Sequence, residues 1–265
     1  MTALRLVING AAGRMGQRLI ALGSADPALK IVAALEYAGS SQLGRDSGAV
    51  AGVGDIGVPI APTLDVAAEA LIDFSTPAGA ESATKLCLER GIPLVMATTG
   101  LTAEQQQAIR DAAKKIPVVW APSMSFAVNI GMKLVDVAGR ALRDHPSGAD
   151  VEIIERHHRF KEDAPSGTAL KFGEIVAGAM GHTAERHGRE GRIGKRPHEE
   201  IGYHAVRTGD NPGEHTIIFG LLGETLEVTV RASNRDCYAH GALAAAKFVA
   251  KQKPGLYGMN DVLGL

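Results

Sequence analysis

No run of about 18 apolar residues occurs anywhere in this 265-residue chain, so a membrane-spanning helix is excluded. The opening MTALRLVING lacks the charged segment, long apolar stretch and cleavage site of a secretory leader, and a cytoplasmic location is expected. An excess of either charge is missing too. Lys and Arg number 28 against 29 Asp and Glu, a net charge of -1, which gives no field for a polyanion and argues against nucleic acid as a partner. Cysteine is scarce. Cys87 and Cys237 lack the close spacing of a metal or redox pair and are expected as buried thiols. The nine histidines are not set with carboxylates or thiols at ligand spacing, so no metal is expected. Internal repeats and low-complexity tracts are likewise absent.

What the chain does contain is 45% hydrophobic residues, enough for one large core or two modest ones. From the start, short apolar runs alternate with amphipathic stretches. LRLVI at 4–8, a helical pattern from Arg14 to about Ser24 and KIVAALE at 30–36 read as strand, helix, strand. A Gly- and Ser-rich loop covers 39–57. VPIAP, a short helix near Asp65 to Ala70 and the strand ALIDF follow, and Thr76-Pro77 opens a helix to about Arg90, since proline is tolerated where the first helical amides lack partners anyway. PLVMAT, a helix from Thr102 with a Thr-x-x-Gln105 capping-box spacing, and PVVW at 117–120 complete the series. Buried strands alternating with helices predict an α/β fold, a Rossmann-type doubly wound parallel sheet.

The pattern changes after Trp120. A long helix from about Phe126 to Arg143, the strand DVEIIERHH and a helix from Gly167 to about Met180 precede a charged loop at 183–199. Three alternating strands, IGYHAVRT, HTIIFGLL and TLEVTVRA, come next, the first two joined by the turn-rich GDNPG. This predicts a second, α+β domain built on a mostly antiparallel sheet. A final helix spans about Arg235 to Lys251.

Two segments carry chemistry. GAAGRMG, Gly10 to Gly16, follows a strand and opens a helix, where a dinucleotide fold sets a pyrophosphate against unpaired backbone amides. Its Gly-x-x-Gly-x-x-Gly spacing also suits an ordinary turn. Glu36, 20 residues past Gly16 at the end of the second predicted strand, is placed to accept from ribose hydroxyls, although a solvated strand-end charge would look the same. Tyr37 stands where an arginine would favour the 2'-phosphate of NADP, so NADH or NADPH is expected as cofactor. ATTG at 97–100 and APSMSF at 121–126 each follow a predicted parallel strand, where loops meet ligands.

ERHHRFKEDAPSGTAL, Glu155 to Leu170, sets two histidines at a strand end, Lys161 shortly after, and a helix start with Ser166 as N-cap. Each piece alone has an ordinary structural explanation. The stretch EIIERHHRFKEDAPSGTAL resembles the signature of the dihydrodipicolinate reductase family, and GAAGRMG, ATTG, the strand-ending acid, GEHT and the tail helix follow in that family's order from about Leu4 to Lys251.

The resemblance implies a dinucleotide-binding domain at 1–123 plus 235–265, and a substrate-binding and oligomerisation domain at 124–234 in a homotetramer. It implies His157 as the catalytic proton-transfer residue, Lys161 as a second proton donor, and His158 with Gly167 and Thr168 as substrate contacts. Cofactor contacts are implied for Gly10, Ala11, Ala12, Gly13, Arg14, Met15, Glu36, Ala97, Thr98, Thr99, Ala121, Pro122, Ser123 and Met124. The implied partner is a small cyclic imine with two carboxylates that accepts a hydride and then a proton. Segments near Ser123 to Asn129 and Ala232 to Arg235 are the expected hinges. Two other readings of the nucleotide domain stay open: another NAD(P)-dependent small-molecule dehydrogenase, and a non-catalytic NADH-binding redox sensor.

Overall fold

The computed structural model describes residues 2–265, and the chain divides into two units, one formed by residues up to Phe126 with Arg235–Leu265 and the other by Ala127–Asn234. In chain order come β1 (Leu4–Asn9), α1 (Arg14–Ala25), β2 (Leu29–Leu35), α2 (Ser47–Val50), β3 (Ile60–Ala61), β4 (Ala70–Asp73), α3 (Pro77–Arg90), β5 (Leu94–Met96), α4 (Ala103–Ala112) and β6 (Pro117–Trp120). The second unit holds α5 (Phe126–Leu142), β7 (Asp150–His157), α6 (Gly167–Met180), β8 (Ala184–His187), β9 (Glu200–Arg207), β10 (Glu214–Gly220) and β11 (Thr225–Arg231). The chain then returns to the first unit with α7 (Asp236–Val249), β12 (Gly255–Tyr257) and α8 (Met259–Leu263).

Seven parallel strands build the first sheet, in the order β12-β6-β5-β4-β1-β2-β3. Strands buried on both faces should be mainly apolar, and LVM and PVVW are apolar throughout, while LRLVIN and ALID carry polar residues only at Arg5 and at their carboxyl-terminal Asn9 and Asp73. One face packs on α1 and α7 through Leu19, Ile20, Ala242 and Ala246; the other packs on α3 and α4 through Ala83, Cys87 and Ile109. The chain leaves β1 first toward β2 and β3, then crosses back to β4 on the other side. The carboxyl ends of β1 and β4 therefore flank the topological switch point, where open α/β sheets bind ligands. Thr76 caps α3 by accepting from the Gly79 amide, and Thr102 with Gln105 forms the expected capping box on α4.

The helix expected near Asp65 to Ala70 does not form. Arg5 of β1 donates its amide to Glu69 Oε2 at 2.9 Å and its Nε to the Ala67 carbonyl at 3.0 Å, while the Glu69 amide returns a bond to the Arg5 carbonyl at 2.8 Å. These bonds hold the segment extended against the sheet and override its alanine-rich helix propensity.

The second sheet is mixed, in the order β11-β10-β7-β9-β8, which corrects the mostly antiparallel expectation. Only β10 pairs antiparallel, with β11 and with β7; β7 with β9 and β9 with β8 run parallel. Parallel neighbours need a long connection: α6 and β8 lie on the chain between β7 and its neighbour β9, and the segment 188–199 links β8 to β9. β9 and β10, joined through GDNPG, are not neighbours in the sheet but flank β7 on opposite sides. β8 lies within the segment expected to be loop, because its residues Ala184–His187 are polar and mostly exposed at a sheet edge. The following connection is tied down by ion pairs: Arg189 reaches Glu152 and Glu200 at 2.7 and 2.5 Å, and Arg196 reaches Asp150 and Glu152 at 2.8 and 3.0 Å. Phe172 and Phe219 are fully buried between α6 and the sheet.

Of the two cysteines, Cys87 is fully buried as expected, whereas Cys237 at the start of α7 is only half-buried. No helix among the described residues is long and apolar enough to cross a membrane, and no cluster of metal-ligating side chains occurs among them.

Candidate active site

The glycine loop follows β1 at the switch point, and two of its three glycines, Gly10 and Gly16, stand where a Cβ would collide with backbone. Gly10 has a φ of 76°, and a Cβ on it would lie 2.6 Å from the Phe74 carbonyl oxygen at the end of β4. A Cβ on Gly16, one residue type larger, would stand 2.1 Å from the Gly10 carbonyl oxygen. Gly13 is the N-cap of α1; it makes no side-chain cap, and the first turn carries no acidic residue. α3, α4 and α6 all have capping hydroxyls that occupy a first-turn amide, whereas α1 has no side-chain cap, a helix start of the kind that suits an anion. Glu36 lies beside this loop, accepting from the Ala12 amide at 3.0 Å. Tyr37, next along, is 71% exposed and its ring is available to stack.

The two other loops meet the same edge. β5 and β6 are neighbours, with Met96 opposite Trp120, so the segments starting at Ala97 and Ala121 begin side by side. Thr98 is buried and its hydroxyl is fully used: it donates to Asp73 Oδ2 at 2.5 Å and accepts from the Ser75 amide at 2.9 Å. Asp73 also accepts from Asn9 and Ser75, both at 2.6 Å, so one buried carboxylate joins the loops after β1, β4 and β5. Burial raises its pKa against those hydrogen bonds. Ala11, Ala97, Ala121 and Met124 put their side chains into the core, leaving only backbone for a ligand, while Arg14, Thr99 and Pro122 are exposed and Ser123 is buried. Glycine loop, uncapped helix start and strand-end acid together fit a dinucleotide.

In the second unit, strand alternation sets the site. Val151, Ile153, Glu155 and His157 all point to the buried face of β7, which passes from apolar to ionisable along its length. Register then adds a neighbour on each side: Arg207 of β9 lies opposite His157, and His215 of β10 opposite Glu155. The Glu155 carboxylate, 1% exposed, accepts from His157 Nδ1 at 2.6 Å, from two Arg207 nitrogens at 2.8 Å and from the Ser166 amide at 3.0 Å. Burial alone would raise its pKa, but the bonds from Arg207 and His157 prevail and lower it. His157 moves down, because burial outweighs the carboxylate beside it. His215, bonded to Ser166 Oγ at 3.0 Å and edge-on to His157 with ring centres 5.2 Å apart, is pushed down to about 4 by burial.

Ser166 caps α6, accepting from the Ala169 amide, so the amides of Gly167 and Thr168 open the helix. Gly167 is exposed, and a Cβ there would meet nothing within 4 Å. The Lys161 amide bonds the His158 carbonyl at 3.1 Å, and its ammonium, on a side chain that is 21% exposed, pairs with Asp163 at 2.7 Å. His158 Nδ1 is buried and has no partner. The structure thus places His157, His158, Lys161, Gly167 and Thr168 on β7, its trailing loop and the start of α6. Glu155, Arg207 and His215, which sequence reasoning passed over as site residues, complete the cluster. Their signal lay in alternation, since Glu155 stands two residues before His157 on one face.

Two family models cover the chain: "Dihydrodipicolinate reductase, N-terminus" matches residues 4–124 and "Dihydrodipicolinate reductase, C-terminus" residues 127–263. The 4-hydroxy-tetrahydrodipicolinate reductase of Rhodopirellula baltica is 59% identical over 99% of this chain and 96% of its own. That of Alkalilimnicola ehrlichii is 47% identical over 98% and 99%. Among solved structures, a dipicolinate-bound dihydrodipicolinate reductase from Paenisporosarcina sp. TG-14 superposes with a TM-score of 0.79 at 26% identity, over 98% of this chain and 99% of that one.

Proposed function

The chain belongs to the dihydrodipicolinate reductase family, and from that premise we propose that it converts 4-hydroxy-2,3,4,5-tetrahydrodipicolinate, which loses water to give dihydrodipicolinate and then takes a hydride from NADH or NADPH and a proton, to tetrahydrodipicolinate, as a cytoplasmic enzyme of diaminopimelate and lysine biosynthesis. The observation that carries the reading is the cluster on β7 and α6: an imidazole, an ammonium and a helix start within one short segment suit a cyclic dianion that must gain a proton.

Gly10–Met15, Glu36 and the loops at 97–99 and 121–124 would hold NADH or NADPH, which would supply the hydride. The residues of the second unit do the rest. The amides of Gly167 and Thr168, at a helix end carrying roughly half a positive charge, bind one carboxylate. Lys161 holds the other, or the negative charge that develops on the ring, by exchanging Asp163 for the substrate. His157 presents Nε2 as the proton-bearing atom, since Nδ1 is engaged by Glu155. Burial leaves the imidazole short of its proton at neutral pH, and an arriving dianion restores it, so substrate binding and protonation of His157 are coupled. His158, with its unpartnered buried Nδ1, is available to a substrate oxygen.

We further infer a homotetramer built through the open face of the second sheet, where Ile154 and Val206 are 38% and 41% exposed. Light scattering in solution tests it. For the activity, loss of nicotinamide absorbance is followed with freshly made substrate for the wild type, His157→Gln and Lys161→Ala. Rapid oxidation that falls at least about 10²-fold in both variants, with nucleotide binding intact, is expected; no turnover with either nucleotide overturns the reading.

A further inference from the structure

Glu155 makes no contact that a catalytic acid would need, yet it is the most heavily bonded side chain of the cluster. Its two oxygens serve different elements. Oε2 accepts from His157 Nδ1 at 2.6 Å and Oε1 from the Ser166 amide at 3.0 Å, the residue that caps α6. Arg207 closes over both oxygens at 2.8 Å, and one of its nitrogens also reaches the Asp163 carbonyl at 2.7 Å. An ionised carboxylate can only accept, so the proton of a neutral His157 must sit on Nδ1. No hydrogen bond to Nε2 from the described residues competes for the other nitrogen.

We propose that Glu155 is a positioning residue for the reduction, resting on the function proposed above: it fixes His157 as the Nδ1–H tautomer, so that Nε2 alone exchanges the proton, and it registers that imidazole against the carboxylate-binding start of α6, with Arg207 clamping the carboxylate between them. One buried group thereby sets the distance between the proton donor and the anion grip. A salt bridge serving stability alone would not need to touch both.

The charged and titratable groups facing His157 are Glu155 on its own strand, Arg207 on β9, His215 on β10 and Lys161 in the loop after β7. Glu155 favours the imidazolium, whereas Arg207 and Lys161 oppose it. Removing Glu155 or Arg207 therefore shifts His157 in opposite directions. Loss of fold, or of packing alone, would move both the same way.

The test titrates His157 by NMR in the full chain, using the imidazole carbon-bound proton for the midpoint and ring nitrogen shifts for the tautomer, in wild type, Glu155→Gln and Arg207→Met. Expected are the Nδ1–H tautomer in wild type, a lower midpoint and mixed tautomers in Glu155→Gln, and a higher midpoint in Arg207→Met. In steady state, Glu155→Gln should lose roughly 10- to 100-fold in kcat, part of what a positioned proton donor contributes, with its pH limb displaced downward. Glu155→Asp keeps the carboxylate and should restore the wild-type tautomer in part. Midpoints that stay put or move together, or a Glu155→Gln variant with wild-type kcat, overturn the proposal. If the wild type turns over no substrate, the functional reading fails by itself, and the NMR arms still decide whether Glu155 sets the tautomer.

Discussion

Two glycines of one loop, three residues apart, should fail in different ways when each becomes alanine. On helix propensity alone Gly16→Ala, inside α1, would stabilise by about 1 kcal/mol. Geometry opposes it: the new methyl would lie 2.1 Å from the Gly10 carbonyl oxygen and 2.7 Å from the Cα and carbonyl carbon of Ala11. All three are backbone atoms, Ala11 is fully buried, and Gly10 is itself wedged against the end of β4, so nothing flexible can yield. Overpacking costs typically about 1–3 kcal/mol, and rigid neighbours put this case at the upper end or beyond. The net loss of at least about 2 kcal/mol lowers the melting temperature by roughly 4–8 °C for a unit of this size. Gly13→Ala differs. Its backbone is ordinary, with φ at -71°, and its methyl would meet only the Gly10 oxygen at 3.1 Å, so the melt should stay within a few degrees of wild type. That methyl points where a phosphate would approach. Losing one charge-assisted amide bond, about 1.5–3 kcal/mol, weakens nucleotide binding roughly 10- to 150-fold. Differential scanning calorimetry paired with isothermal titration of NADH separates the two effects. A Gly16→Ala protein that melts at or above wild type, or a Gly13→Ala protein that melts lower than Gly16→Ala, refutes the close-approach argument.

Two further outcomes follow from buried chemistry. Burial would raise Glu152, but hydrogen bonds from Arg189, His204 and Arg196 win and pull it down to about 2 from an ordinary 4.5. Its folded pKa lies below the unfolded one, so stability on the order of 2 kcal/mol is present above about pH 4.5 and lost as pH falls toward 2. A urea midpoint for Glu152→Gln that falls as steeply as wild type over that range would contradict the assignment. Cys87 is fully buried and its thiol is driven well above the ordinary range by burial, so a thiol reagent at pH 8 should leave it unmodified until denaturant is added; peptide mapping of the labelled native protein decides it.

Much of the first unit was legible because its strands are apolar on both faces and short, and LRLVI, ALID and PVVW cannot be mistaken for amphipathic helix. The failures there are tertiary. Nothing in DVAAEA announces that Arg5, sixty-odd residues upstream, will take the Glu69 carboxylate and the Ala67 carbonyl and hold the segment straight. In the second unit, IGYHAVRT and HTIIFGLL read correctly as strands, but periodicity reports that a strand exists and not which strand lies beside it. GDNPG joins β9 to β10 in the chain, yet β7 lies between them in the sheet. β8 escaped notice for the opposite reason: AERH is a strand by pairing alone, with no buried face to impose a period.

The same limit governs the site. ERHHRFK displays its histidines and lysine openly, yet Glu155 in isolation is indistinguishable from a solvated strand residue. Alternation with Val151 and Ile153 places it on the buried face, and a carboxylate there is tolerable only with cations or amides to receive it. Those partners are Arg207, fifty-two residues on, and Ser166 across the loop. A sequence can thus pose the question of how a buried acid beside a histidine is satisfied, but the answer waits on register: β9 must be the parallel neighbour of β7 for Arg207 to reach it. Had β9 paired with β10 and not with β7, Arg207 would not lie beside Glu155, and the buried carboxylate would lose its bidentate cation. The mixed order of the second sheet is therefore what makes the polar end of β7 affordable, and what delivers His157 to the start of α6 with one nitrogen committed and the other open.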